Sequence, residues 1–116
     1  MWAQLITVRL KPDKDTAELS KQVRAAEQAG SGLVRTLMMH DQKDPSRVFA
    51  LVVFESEEKA RARERDPRRQ EALQAARAMM ADIYDGPPEF TDLTVAEEWT
   101  GERAPRADPG GVDLRG

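Results

Sequence analysis

The stretch Arg47 to Glu55, RVFALVVFE, constrains the fold more than any other part of the chain. Seven of its nine residues are apolar, most of them β-branched or aromatic, and the turn residues Asp44, Pro45 and Ser46 precede it. A run of that length and composition predicts a strand covered on both faces, hence a central one. At 116 residues the chain fits one domain, with few helices to supply two covers. A second copy of the same chain is the cheapest source of the other cover.

The flanking segments follow from the same reasoning. Residues 2–10, WAQLITVRL, place Trp2, Gln4, Ile6, Val8 and Leu10 on one face and Ala3, Leu5, Thr7 and Arg9 on the other, which suits a first strand buried on both sides. Asp15 with Glu18 three residues on resembles a capping box. Leu19, Val23 and Ala26 recur at helical spacing until Gly30, so a helix is expected over about 16–29. Residues 32–40, GLVRTLMMH, read as a second strand, joined to the central one by the turn DQKDPS. Ser56 caps a further helix whose first turn carries Glu57 and Glu58, where the helix dipole favours negative charge. Asp66 and Pro67 restart that helix, since proline can open a helix but not continue one. Leu73, Ala76, Met80 and Ile83 then form an apolar stripe to about Tyr84, and Gly86, Pro87 and Pro88 end it. A last strand is expected over Phe90 to Trp99. Residues 100–116 are rich in Gly, Pro and charge and read as a tail after a domain of residues 1–99.

The order β, α, β, β, α, β predicts an α+β, ferredoxin-like fold, a four-stranded antiparallel sheet with strands one and three central and both helices on one face. Apolar residues on the other face are then left to be hidden.

Composition removes several classes of function. The chain has no cysteine and one histidine, His40, so disulfides, thiol catalysis and thiolate metal sites are ruled out and no cofactor or metal is expected. Eighteen basic against 21 acidic residues, net charge −3, point away from nucleic acid. No apolar run approaches the roughly 18 residues that span a bilayer, so no membrane partner is expected. Met1 leads directly into a strand pattern, and a cytoplasmic location is the expectation.

With this element order, the doubly apolar strands, the FESEEKARA junction into a broken helix and the closing DLTVAEEW, residues 2–99 resemble the dimeric α/β-barrel superfamily, most closely its antibiotic-biosynthesis-monooxygenase (ABM) type of domain. The resemblance implies a homodimer in which two sheets face one another as a barrel, with a small cavity between sheet and helices in each subunit. Its members include cofactor-free oxygenases of polyphenolic polyketides, quinol oxidases and haem-degrading proteins. The polar residues used by the oxygenase and haem-degrading members, an asparagine, a tryptophan near the start of the second helix and a histidine further along it, have no counterpart here: the chain contains no asparagine, and its second helical region offers Arg68, Arg69 and Gln70 instead. Haem degradation is thereby disfavoured, and no catalytic residue carries over.

The candidates are therefore the chain's own. His40 beside Asp41 could be a base that removes a phenolic proton; a hydrated histidine at a turn is the weightier reading. Arg9 and Arg35 could clamp a carboxylate or phenolate, or pair with Glu97 and Glu98 across the sheet or a dimer interface, the second being favoured. Trp2, Tyr84 and Trp99 with Met38, Met39, Met79 and Met80 could line a pocket for a small planar aromatic ligand, or simply pack. Arg61, Arg63, Arg65, Arg68 and Arg69 are interleaved with acids and read as a solvated face, with Glu57–Arg61 and Glu64–Arg68 at i,i+4 spacing. Two functions stand: a small-molecule-binding ABM-like domain, in its finer form a cofactor-independent monooxygenase of a phenolic or quinol-like substrate with His40 as base, and a non-catalytic dimeric structural or interaction domain.

Overall fold

The computed structural model describes residues 1–101; the expected tail lies almost wholly outside them. The chain runs β1 (Trp2–Arg9), α1 (Ala17–Ala25), β2 (Leu33–His40), β3 (Arg47–Phe54), α2 (Glu57–Glu64), α3 (Pro67–Ala72), α4 (Gln74–Ile83) and β4 (Glu89–Thr94). The sheet order is β2-β3-β1-β4, with every neighbouring pair antiparallel. This is the α+β, ferredoxin-like arrangement, and RVFALVVF is one of its two central strands.

The register sorts the strand residues into two faces. Trp2, Gln4, Ile6 and Val8 share the helix-covered face with Val48, Ala50, Val52 and Phe54 of β3 and with Thr36 and Met38 of β2. The helix-free face carries Ala3 and Leu5 beside Val53 and Leu51, flanked by Leu37 on β2 and Leu93 on β4. Ala3 and Val53 are buried there, but Leu37 is 44% and Trp99 78% exposed.

Four sequence expectations are corrected. The first helix ends at Ala25, well before Gly30. Gln28 Nε2 donates to the Ala26 carbonyl, the acceptor that a continuing helix would offer to the Gly30 amide. Its start is not a capping box: Thr16 makes no side-chain cap, and Asp15 accepts from the Ala17 amide instead. The second helix breaks twice. Asp66, as expected, caps a new start at Pro67, but Leu73 ends α3 and begins α4. The last strand stops at Thr94; the Val95 amide still donates to the Met1 carbonyl, and Val95, Glu97, Glu98 and Trp99 line a groove of about 490 Å³ on the helix-free face with Ala3, Arg35, Leu37 and Leu93.

Packing is divided. Leu19, Ala26, Leu73, Ala76 and Ile83 form a cluster between the helices. Trp2, Val52, Phe54 and Ala60 form another where α2 meets the sheet, and Val8, Leu10 and Val48 a third at its far end.

Candidate functional site

Between the helix cluster and the sheet lies a cavity of about 820 Å³, within the usual range for a small-molecule site. Its floor is the helix-covered face of the sheet: Trp2, Ile6, Val8, Met38, Ala50 and Phe54 line it. Leu19 and Val23 of α1 and Leu73 and Met80 of α4 with its flanks form the roof, and Tyr84 and Phe90 also contribute. Alternation along the strands explains the floor, because residues two apart share a face.

Charge enters the cavity from the helices. Arg24 and Glu27 come from α1 and the turn after it, Arg63 and Glu64 from α2, and Arg69 from α3. Arg63 and Arg69 are six residues apart, which on one continuous helix would set them roughly 120° apart around the axis. The Asp66–Pro67 break brings both into the same wall. Asp66 accepts from the Arg68 amide at 2.9 Å and pairs with the Arg68 guanidinium at 2.8 Å, so the cap that breaks the helix also holds Arg68 outward.

Arg63 grips Glu27 as a fork: Nε lies 3.1 Å from both carboxylate oxygens and Nη2 2.7 Å from Oε1. The two side chains are 11% and 22% exposed. Burial is the largest influence on Glu27 and pushes its carboxyl upward, but hydrogen bonds from Arg63 and Ser31 with the charges of Arg63 and Arg69 together hold it below the usual range. Arg63 also lies 5.1 Å from the centre of the Phe54 ring. Arg69 differs. Its Nε is buried without a hydrogen-bond partner; burial first, then the Arg63 charge, pushes its guanidinium below the ordinary arginine range. Burial raises the Tyr84 phenol, which keeps it protonated at neutral pH.

Of the sequence candidates, Trp2, Met38, Met80 and Tyr84 come together in this cavity. Arg9, Arg35 and His40 do not line it. Arg9 lies on the opposite face and pairs with Asp44 at 2.8 Å and with Ser46, not with Glu97 or Glu98, because the β2–β3 turn reaches it first. Arg35 shares the groove of the helix-free face with Glu97, Glu98 and Trp99. His40, opposite Val48, is on the cavity side of the sheet but exposed at the end of edge strand β2. Its neighbour Asp41 serves the Lys43 amide and Arg47. Met39 and Trp99 fall on the helix-free side and are exposed, while Met79 packs on the helix cluster.

The arginine-rich surface also divides. Arg61 pairs with Glu57 at 3.2 Å as expected, and further with Glu64 and Asp92, and it stacks 4.9 Å from the Trp2 ring centre. The Glu64–Arg68 pair does not form, since Pro67 interrupts the turn it needs. Sequence reasoning missed Glu27, Arg63 and Arg69 as cavity groups; the one available signal was the helix break between the two arginines. Among the described residues no cluster of acids and histidine fits a metal ion, and no helix is long and apolar enough to cross a membrane.

An open-faced α+β sheet with a side-chain-lined cavity under its helices defines the class of the protein. Solved structures place that fold more narrowly. A protein from Nitrosomonas europaea named for antibiotic biosynthesis monooxygenase activity matches over 84% of this chain and 100% of its own, at 18% identity and TM-score 0.62. Rv0793 from Mycobacterium tuberculosis matches over 85% and 98%, at 15% identity and TM-score 0.64. SnoaB, a cofactor-independent oxygenase from Streptomyces nogalater, matches over 84% and 94%, at 15% identity and TM-score 0.63. The chain thus has the ferredoxin-like fold of the ABM-type domains. No family sequence model matches it, and no curated protein does.

Proposed function

We propose that the protein binds a small planar aromatic molecule in the 820 Å³ cavity and oxidises it with dioxygen without a cofactor, the substrate being a phenol or quinol. The carrying observation is the cavity itself: an apolar floor and roof with a cationic wall, on a fold shared with a cofactor-independent oxygenase. In such chemistry an anthrone-type substrate loses a proton to a base, its carbanion passes an electron to dioxygen, the two radicals join as a peroxide anion, and this takes the proton back as a hydroperoxide and loses water to leave a carbonyl. A quinol instead gives up two electrons and two protons to dioxygen, yielding quinone and hydrogen peroxide. His40, which stands outside the cavity lining but on the same side of the sheet, at the exposed end of β2, is the proposed base.

The exposed apolar residues of the helix-free face, Leu37, Met39, Leu93 and Trp99, support a homodimer that joins two sheets face to face. The proposed location is the cytoplasm. Oxygen uptake with anthrones and quinols, measured for the native chain and for His40→Ala, tests the activity. Uptake that falls in the variant supports it, and none with any substrate refutes it. Sedimentation that finds a monomer at micromolar concentration refutes the dimer. A non-catalytic dimeric domain is the second reading, favoured by the exposure of His40.

A further inference from the structure

Two charges in the cavity wall make no side-chain hydrogen bond to a described residue, Arg24 and Arg69; Arg24 is exposed to water, whereas Arg69 has a donor sealed from it. Of the five charged groups lining it, Arg24, Glu27, Arg63, Glu64 and Arg69, Arg63 and Glu27 satisfy one another, and Glu64 accepts from Arg61 outside. Arg69 donates no side-chain hydrogen bond to any described residue, and its Nε is sealed from solvent. A guanidinium carries five donors in a fixed plane and cannot shed its charge at physiological pH. Leaving one such donor, the Nε–H, buried without an acceptor costs about 1–3 kcal/mol, so an arrangement of this kind persists where something else supplies the acceptor.

What would supply it is set by the surroundings. Arginines outnumber glutamates three to two in the lining, and the Arg63 charge opposes that of Arg69. A neutral acceptor would satisfy the donors but leave that opposition in place; an oxyanion relieves both. The rest of the lining is aromatic, aliphatic and thioether, from Ile6, Met38, Phe54, Met80 and Phe90, which suits a flat apolar body. We infer that Arg69 is the anion-binding residue of the cavity, and that its ligand is a planar aromatic acid whose carboxylate or phenolate oxygen accepts from the Arg69 guanidinium. This inference rests on the cavity being a ligand site and adds the charge of the ligand and the group that reads it. The Nη donors meet the oxyanion first, and a small rotation of the guanidinium brings Nε into a bidentate fork.

Calorimetric titration of the full chain with three probes tests this: 2-naphthoate, its neutral amide 2-naphthamide, and 2,4-dinitro-1-naphthol, which is ionised at neutral pH. The native protein should bind one or both anions at least tenfold more tightly than the amide, and the naphthoate and naphthol arms tell whether carboxylate or phenolate is preferred. Arg69→Gln should weaken anion binding by about tenfold to a hundredfold and amide binding by far less, since a neutral carbonyl accepts from Arg69 without the charge attraction. Arg69→Lys, which keeps the charge and the stem but not the fork, should recover part of the loss and serves where the glutamine variant does not fold. Equal affinity for acid and amide in the native chain overturns the inference while the cavity reading survives. So does a loss in Arg24→Gln with none in Arg69→Gln. If no probe binds, the cavity reading falls with it.

Discussion

Replacing Glu27 by Gln should be the most destabilising single charge change in the protein. Removing one partner of a fully buried pair costs about 3–5 kcal/mol, and an exposed pair is worth at most about 1 kcal/mol. At 11% and 22% exposure, the Arg63–Glu27 fork falls between, at about 2 kcal/mol. The loss is not symmetric. Without the Glu27 charge, the repulsion between Arg63 and Arg69 loses the carboxylate that attracts both, a cost of about 1 kcal/mol at an effective dielectric near 20. Without Arg63, by contrast, Glu27 keeps the attraction of Arg69. Glu27→Gln should therefore cost about 1 kcal/mol more than Arg63→Gln, and the double variant should be less destabilised than the sum of the two. Urea titration with a common slope measures all three, and the glutamine variant should melt roughly 8 °C below the native chain. The control is Glu55→Gln. Its partner Lys59 lies at only 2.6 Å, but both side chains are about half exposed, so the change should cost less than about 0.5 kcal/mol. Equal costs for Glu27→Gln and Glu55→Gln would refute the reasoning, since distance rather than burial would then decide the worth of these pairs. Equal costs for Glu27→Gln and Arg63→Gln would refute the asymmetry.

Asp66→Ala removes the cap that starts α3 and should cost about 1 kcal/mol in denaturant titration; by loosening the helix break it should also erode discrimination between naphthoate and naphthamide. Asp44 is held down to about 2 from 3.8 by hydrogen bonds from Ser46 and Arg9. A carboxyl lowered in the folded state stabilises above its unfolded value and loses that contribution as pH falls from 3.8 through about 2, and carboxyl-carbon NMR should show the midpoint moving toward 3.8 in Arg9→Gln. Ala50 faces the cavity between Ile6 and Met38; Ala50→Leu should stabilise the chain by about 1 kcal/mol through added apolar contact while abolishing naphthoate binding. A loss of stability there would mean that the space is already filled by side-chain motion.

The sheet was legible because its signals are local. RVFALVVF has the length and composition of a central strand, and the alternation of Trp2, Gln4, Ile6 and Val8 sorts β1 into faces before any partner is known. Helix starts at Ser56 and Asp66 were legible for the same reason, since a cap acts on amides two or three residues away. Ends were not. The end of α1 is set where its last amides tighten onto carbonyls three residues back, Glu27 onto Arg24, with no residue type to announce it, and the end of β4 comes where the residues after Val95 turn to the groove of the helix-free face. The candidate site was half legible. Trp2, Met38, Met80 and Tyr84 share a cavity because strand and helix periods place them inward, whereas Arg63 and Arg69 sit in a run of charges that reads as solvated surface until the helix break is given its geometry. Arg9 and Arg35 stand on odd positions of their strands' outer face, and alternation alone, applied to charged as well as apolar residues, separates Arg9 from Trp2 and Val8.

The cavity exists because the helices find a better partner in each other than in the sheet. Ala26 and Ala76 are fully buried in the helix cluster, and side chains that small let helices approach closely, so Leu19, Leu73 and Ile83 meet across a short gap. On the sheet, Trp2 and Phe54 pack on each other at 6.0 Å between ring centres and on Ala60 of α2, which anchors one end of the helical layer. Val8, Leu10 and Val48 with Tyr84 anchor the other. Between these two anchors the sheet presents Ala50, a side chain too short to reach the roof. Native interiors pack without voids much larger than a water molecule, so an 820 Å³ space bounded by two anchored layers is a departure that the same sequence could have closed with one larger residue. The arginine pair at its wall follows from the same construction: the short helices α2 and α3 close the space at the side, and the break between them is what lets two guanidinium groups face inward while only Arg63 has a carboxylate, that of Glu27, hydrogen-bonded to it.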